Sequence, residues 1–302
     1  MIFTSFEGLV AHAKAHVKAR RVVVAAAQDE HTLEAVMKVR AEGIVVPVLV
    51  GDKAKIQEIL AKMGESVPEE DLYDAPEFAD SAVLAVRLVR EGKAHFIMKG
   101  KLDTSDILRA VVNKEHGLGQ GRTMSHMAIN QIPAYHKLLV TTDGGMLLAP
   151  TLAQKKDVIL NAVEALRALG YEEPKVGVLA AAEKVNPKSV DSTDAAALKE
   201  MWQAGELPGC IVEGPISFDL AMVKERAVTK GYDSPCAGDC DILVVPNITA
   251  GNILGKSLVE MAGAKMAGLV VGAKCPIVVT SRGSSSEEKY NALCLAASMT
   301  QD

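Results

Sequence analysis

The chain has 302 residues and a formal net charge of -5, with 49% hydrophobic and 24% charged residues. This is the balance of a folded globular protein long enough for two ordinary domains. It has no global basic footprint, which argues against nucleic acid as the main partner. A membrane span is excluded as well: an apolar run such as Met266 to Ala273 is cut short by Lys265 and Lys274, and a span needs roughly 20 apolar residues. Near the N-terminus, Lys14, Lys18, Arg20 and Arg21 interrupt any signal-peptide core, whereas Phe6, Leu9 or Val10, Ala13 and Val17 recur at helical spacing.

From there, short β-branched runs alternate with amphipathic stretches. Arg21 to Ala27 predicts a strand, Glu30 to Ala41 a helix stopped by Gly43, Ile44 to Val50 a strand, and Lys53 to Lys62 a helix. Ser81 to Arg90 is helical, with Gly92 beyond it, and Ala94 to Met98 is a buried strand. Tyr135 to Thr141 opens the second half as a strand, followed by a helix from Thr151 to Leu169 that stops at Gly170. Further strands are expected at Lys175 to Ala182, Cys210 to Glu213, Ile242 to Val245, Gly268 to Gly272 and Ile277 to Thr280. Helices are expected near Thr193 to Trp202, Phe218 to Lys224, Thr249 to Met261 and Ser286 to Met299. Strand-helix alternation with near-continuously apolar strands implies parallel sheets covered on both faces. The domain boundary falls near Gln131-Ile132-Pro133.

Ligands of such sheets bind beyond the carboxyl ends of the strands. Two strand-to-helix loops there carry chemistry. Met98-Lys99-Gly100-Lys101-Leu102-Asp103-Thr104-Ser105 precedes a helix bearing Arg109. Gly100 permits close backbone approach, and Lys99 with helix amides favours an anion; an ordinary turn capped by Asp103 or Thr104 reads equally well. Ser281-Arg282-Gly283-Ser284-Ser285-Ser286-Glu287-Glu288 offers hydroxyls, a guanidinium fork suited to phosphate, and a carboxylate one turn into the helix. It also has the form of a capping box, and a cap and a site can share residues.

Other patterns carry less. Ala250 to Ser257 fits a relaxed phosphate loop, but Asn247 or Thr249 is a good N-cap and places the stretch inside a helix. Gly117-Leu118-Gly119-Gln120-Gly121 follows a helix, the wrong context for a dinucleotide fingerprint. The five cysteines, an odd and scattered set, read as reduced cytosolic thiols. Cys236-x3-Cys240 lacks a second ligand pair for a metal.

Taken in order, the Lys99-Gly100 loop with Thr104 and Arg109, Glu213-Gly214-Pro215 with Asp219, Ala250-Gly251-Asn252 and Ser281-Arg282-Gly283 resemble the phosphate acetyl/butyryltransferases. The likeness runs from about Val23 to the end. It leans to the butyryl type: acetyl-type enzymes carry Asp-Cys-Ala-x-Asn-Pro where this chain has Asp143-Gly144-Gly145-Met146-Leu147-Leu148-Ala149-Pro150. Ala181-Ala182-Glu183-Lys184-Val185-Asn186 is also of the butyryl type.

The resemblance implies two parallel-sheet α/β domains with an interdomain cleft, similar to the isocitrate dehydrogenase-like fold. Residues 1–132 plus 272–302 would form the first and 133–271 the second. It implies reversible transfer of a butanoyl group between CoA and phosphate, with acetyl-CoA the alternative substrate, by a cytoplasmic homo-oligomer without resident cofactor or metal. Ser281 and Arg282 would be catalytic, with Glu288 as general base and Glu287 its rival. Lys99, Gly100, Thr104, Arg109, Asp143, Gly214, Asp219, Gly283 and Ser284 would contact acyl-CoA and phosphate. Two rivals lie outside this class: a metal-dependent dehydrogenase using Asp233, Asp239 and Asp241, and a non-catalytic acyl-CoA-binding protein.

Overall fold

The structure is a computed structural model that describes residues 2–280 and 284–300. The elements run α1 (Phe6–His16), β1 (Arg20–Ala25), α2 (Glu30–Ala41), β2 (Val45–Gly51), α3 (Lys53–Lys62), β3 (Leu72–Asp74), α4 (Phe78–Arg90), β4 (Phe96–Lys99) and α5 (Thr104–Val111). Then come β5 (Ser125–Gln131), β6 (Leu139–Thr142), α6 (Leu152–Ala168), β7 (Lys175–Leu179), α7 (Val190–Gln203), β8 (Ile211–Ile216), α8 (Phe218–Met222) and α9 (Lys224–Thr229). The chain closes with β9 (Ile242–Val244), α10 (Ile248–Glu260), β10 (Lys265–Val271), β11 (Ile277–Val278) and α11 (Ser286–Met299). Among the described residues, no helix is long and apolar enough to cross a membrane.

Two compact units result, an α/β fold in each. One joins Glu7–Arg122 to Ala267–Asp302; the other joins Met1–Phe6 to Thr123–Met266. The sequence reading draws the changes at 132/133 and 271/272, whereas the compact units change at 122/123 and 266/267. The reason is β5, which the sequence reading lacks: it pairs antiparallel with β6, Ile129 opposite Val140, and so goes with the middle of the chain.

In the unit built from the two ends of the chain, the strand order is β3-β2-β1-β4-β11-β10. β1 pairs parallel with β2 and β4, and β11 parallel with β4; only β10 against β11 is antiparallel. Val22, Val23 and Val24 of β1 are fully buried, each contributing about 1.5–3 kcal/mol of apolar transfer. Helix α2 begins where the Asp29 side chain accepts the Thr32 amide and ends before Gly43, whose φ of 76° requires glycine.

In the middle unit the order is β5-β6-β9-β7-β8, parallel apart from β5. Helix α6 starts with a capping box between Thr151 and Gln154. The expected helix over Phe218 to Lys224 is divided in two, because Val223 takes an extended backbone (φ -129°) between α8 and α9.

Candidate functional site

Strands β1, β4 and β11 all run parallel, and the loops at their carboxyl ends border one cavity of about 490 Å³. Its lining includes Asp29 and Thr32 after β1, Lys99 and Gly100 at the end of β4, Thr280 after β11, and Lys289 in the first turn of α11. Lys99 is buried, and its ammonium donates to the Leu102 carbonyl at 3.0 Å and the Gly100 carbonyl at 3.3 Å. The sequence therefore located one wall of this cavity and missed the rest. Asp29 and Lys289 lie far from Lys99 in the chain, and only the fold brings them to it.

Gly100 has a packing reason for being glycine. A Cβ there would lie 2.3 Å from the Ala26 carbonyl oxygen. The loops after β1 and β4 are stitched together, Gly100 N–H donating to Ala25 at 2.8 Å and Lys101 N–H to Ala26 at 2.9 Å. Ala26 itself sits at φ 54°, a conformation unfavourable for a side chain by roughly 1 kcal/mol. The buried Ser81 hydroxyl accepts its amide at 2.6 Å and donates to the Val50 carbonyl at 3.2 Å, which holds it there.

Thr104 is the first residue of α5 and half-buried. Arg109, on the same helix, is not in the Lys99 cavity. Its side chain is 74% exposed, pairs with Asp106 at 3.1 Å, and borders a separate cavity between α4 and α5 with Arg87, Arg90 and His116. The spacing that suggested a joint role places it one helical face away.

The Asp143 loop is organised from within. Asp143 is buried; Oδ1 accepts the amides of Gly145 (2.8 Å) and Met146 (2.7 Å), and Oδ2 accepts that of His126 (2.8 Å). Both oxygens are thus committed to backbone, which makes Asp143 a loop organiser. Burial lowers the His126 pKa, against the opposing pull of Asp143. The next residue, Gly144, packs backbone to backbone on Gly251 of α10, and a Cβ on Gly144 would stand 2.8 Å from the Gly251 carbonyl carbon. Gly251 lies within α10, whose N-cap Asn247 accepts the Ala250 amide at 3.0 Å, so the Ala250 to Ser257 stretch is helix throughout.

Gly214, too, is set by packing: a Cβ would meet the Ala195 carbonyl at 2.9 Å. Asp219 stands in a polar group with Glu183, Ser217 and Lys230. The Ser217 hydroxyl lies 2.6 Å from Asp219 Oδ1 and against Glu183, while Lys230 lies 3.1 Å from Asp219 and 3.5 Å from Glu183. Hydrogen bonding from Ser217, then from Lys230, lowers the Asp219 pKa.

Ser281, Arg282 and Gly283 lie outside the described residues. Ser285 is the N-cap of α11, its hydroxyl accepting the Glu288 amide at 3.1 Å. Burial raises the Glu288 pKa; a hydrogen bond from Ser284 and the charge of Lys289 only partly offset it. Glu287 is exposed.

The acidic run weighed for a dehydrogenase metal is committed elsewhere. The buried Lys137 ammonium lies 2.9 Å from Asp239 and 2.7 Å from Asp241, and Lys175 and His136 also hold Asp239. The nearby Cys236 and Cys240 are buried free thiols.

Parallel strands ending at a lysine-lined cavity, with a burial-tuned carboxyl at the start of the adjoining helix, define an α/β protein equipped to handle a small anion. The chain belongs to the phosphate acetyl/butaryl transferase family, whose sequence model matches residues 65–297. It is 41% identical to a phosphate butyryltransferase of Clostridium acetobutylicum over 92% of both chains. It is 40% identical to a phosphate acetyltransferase of Thermotoga maritima, over 93% of this chain and 95% of that one. Among solved structures, a branched-chain phosphotransacylase from Enterococcus faecalis V583 superposes with a TM-score of 0.80 at 34% identity, covering 93% of this chain and 98% of the other. The protein is thus an enzyme with phosphate acyltransferase (phosphotransacylase) activity.

Proposed function

We propose that the enzyme is a phosphate butyryltransferase, converting butanoyl-CoA and phosphate reversibly to butanoyl phosphate and CoA. The observation that carries the butanoyl preference is the segment Asp143 to Pro150, which departs from the Asp-Cys-Ala-x-Asn-Pro of acetyl-type enzymes. Packing supports the departure: a cysteine side chain at position 144 would begin 2.8 Å from the Gly251 backbone. Acetyl transfer is the second reading, favoured by the name of the Thermotoga maritima relative at nearly equal identity.

In this reading both substrates are bound together. Towards acyl phosphate, a phosphate oxygen attacks the thioester carbonyl; the tetrahedral oxyanion collapses, the C–S bond breaks, and the CoA sulfur takes a proton. In reverse, the CoA thiol attacks the acyl phosphate carbonyl, and the bond to the phosphate oxygen breaks with its electron pair leaving on phosphate. A thiol of pKa about 8.5 is only a few per cent ionised at neutral pH, so a base at the sulfur accelerates attack. Glu288 fills that role, and its raised pKa makes the carboxylate a stronger base once ionised. Ser281 and neighbouring amides hydrogen-bond the oxyanion, one such donor being worth about 3 kcal/mol. Arg282 and Lys99 balance the phosphate charge, with Gly283, Ser284 and Thr104 nearby in the chain. Holding the two substrates in line supplies much of the remaining acceleration. This chemistry uses CoA and phosphate as substrates and calls on no resident cofactor.

The test is phosphate-dependent CoA release, followed with a thiol reagent, from acetyl-, propionyl-, butanoyl- and isobutanoyl-CoA. A kcat/KM highest for butanoyl-CoA is expected; a maximum at acetyl-CoA would replace this reading with the second.

A further inference from the structure

Three asparagines are buried among the described residues: Asn130, Asn161 and Asn291. Two of them use their amide groups. Asn130 donates to the Leu139 carbonyl at 3.1 Å and the Thr141 hydroxyl at 3.2 Å, and Asn161 to the Thr123 carbonyl at 2.8 Å and the Ser125 hydroxyl at 3.1 Å. Asn291 is 3% exposed, yet its Nδ2 meets no hydrogen-bond partner among the described residues. An amide kept in the interior without an acceptor is unfavourable, and an apolar side chain of the same shape would fill the space without that cost.

Asn291 belongs to α11 and stands three residues after Glu288. Residues three and four apart on a helix are neighbours, and helical side chains lean towards the N-terminus. The Asn291 side chain therefore covers the turn that carries Glu287 and Glu288. Glu287 is exposed, whereas Glu288 is half-buried, so the carboxyl that shares the interior with Asn291 is that of Glu288. Ser284 gives Glu288 one hydrogen bond, and a carboxylate accepts several. The charged groups around this turn make other contacts. Lys289 acts through its charge on Glu288 and on Asp29, the N-cap of α2. Also from α2, Glu42 accepts the Tyr290 hydroxyl and Lys38 lies over the Tyr290 ring at 4.6 Å. From β4, Lys99 donates to the Gly100 and Leu102 carbonyls.

We propose that Asn291 is a positioning residue for Glu288: once the Glu288 carboxyl is ionised, the Asn291 amide donates a hydrogen bond to it and holds it in place. The inference rests on the reading of Glu288 as general base and deepens it. A charged acceptor makes the stronger hydrogen bond, so the contact is tightest when Glu288 is ready to take the CoA thiol proton, and it weakens once that proton has moved to the carboxyl. A hydrogen bond to the charged form also favours that form. The amide thus opposes the effect of burial, and its removal moves the pKa of the base upwards.

The test compares the wild type with Asn291→Leu, which keeps the branched shape and removes the donor. The pH profile of kcat/KM for CoA in the reverse direction is measured with the individual Michaelis constants, and urea unfolding is followed at a pH below the acidic limb. In Asn291→Leu the acidic limb is expected to move up by about one pH unit. Its kcat at neutral pH should fall roughly tenfold, with Michaelis constants within about twofold and stability no lower than that of the wild type. An asparagine with a merely structural role gives the reverse, a loss of stability with the limb in place, and that result overturns the inference. A rise in a Michaelis constant with the limb unmoved overturns it too, because the amide then serves the substrate. Should Asn291→Leu not fold, side-chain amide signals of the wild type are titrated by NMR. A signal that shifts with pH in the wild type and no longer shifts in Glu288→Gln is expected; the absence of any such signal overturns the inference. The titration needs no turnover: a chain that shows the coupled signal but releases no CoA from any acyl-CoA loses the acyltransfer reading and keeps the contact.

Discussion

Asp143 Oδ2 accepts the backbone amide of His126 across the antiparallel β5–β6 pair, while Oδ1 gathers the two amides that follow it in its own loop. A carboxylate that satisfies three buried or half-buried N–H groups stabilises a loop and has little capacity left for substrate. Asp143→Asn replaces one acceptor oxygen by a donor that faces an N–H. The cost is about 1–3 kcal/mol, a drop of several degrees in the melting temperature. Thermal melting by circular dichroism checks it; an unchanged melting temperature would return Asp143 to the ligand.

Lys137 is the hub of the buried ion cluster, and Lys137→Met removes the ion pair of Asp241, whose side chain is 5% exposed and keeps the Lys175 backbone amide at 2.8 Å. Removing one partner of such a pair costs about 3–5 kcal/mol. The pH dependence has a definite sign. Burial pushes Asp239 up, but hydrogen bonds from Lys175, Lys137 and His136 outweigh it and hold the carboxyl well below the usual carboxylate range. Its stabilisation is fully present above the unfolded value of about 3.9 and is lost as pH falls through the lower folded value. Acid unfolding of Lys137→Met therefore begins at higher pH than in the wild type, as followed by circular dichroism.

At Glu288, function and stability should separate. Its folded pKa is raised by burial, so its ionisation opposes folding: the penalty is absent below about 4.3 and grows as pH rises towards the folded value. Glu288→Gln is expected to be at least as stable as the wild type at neutral pH in urea unfolding. Its turnover should fall about 100-fold or more, the usual contribution of a general base. In the wild type the acidic limb of kcat/KM should lie above the pH expected of an ordinary glutamate. Wild-type turnover in Glu288→Gln would pass the role to Glu287 or to water.

Arg109→Ala should change the Michaelis constant for phosphate by less than about twofold, because the guanidinium is exposed, paired with Asp106, and borders another cavity. Steady-state kinetics with varied phosphate measure it. A tenfold rise would bring Arg109 back to the phosphate.

The legible parts of the sequence were those governed by local rules. Asp29, Asp52 and Ser285 cap their helices by accepting backbone amides, and the limits of α2, α3 and α11 follow from those caps and from apolar spacing. Strand β5 was not legible because polar residues flank the short buried run Met127-Ala128-Ile129. The Asn130 side chain donates to the Leu139 carbonyl at 3.1 Å, and Asn161 of α6 donates to Ser125 at 3.1 Å, so hydrogen bonds replace the β-branched pattern that marks a buried strand. Glycines show a related limit. A sequence shows that something approaches Gly100 or Gly214, but not that it is the carbonyl of Ala26 or of Ala195. Composition singles out the Lys99 loop, whereas only the fold brings Lys289 to the same cavity.

The unit that holds the Lys99 cavity is assembled from both ends of the chain: β4 finds its neighbour β11 only after the whole of the middle unit has been made. On the ribosome, the stretch carrying β1 to β4 emerges with one flank of β4 unpaired, and it waits there while residues 123–266 fold. Proteins acquire structure in the order of synthesis, and exposed strand flanks invite wrong partners. The lysine pocket is therefore among the last features to form in a nascent molecule, because Thr280 and Lys289 in its lining are synthesised after the whole of the middle unit.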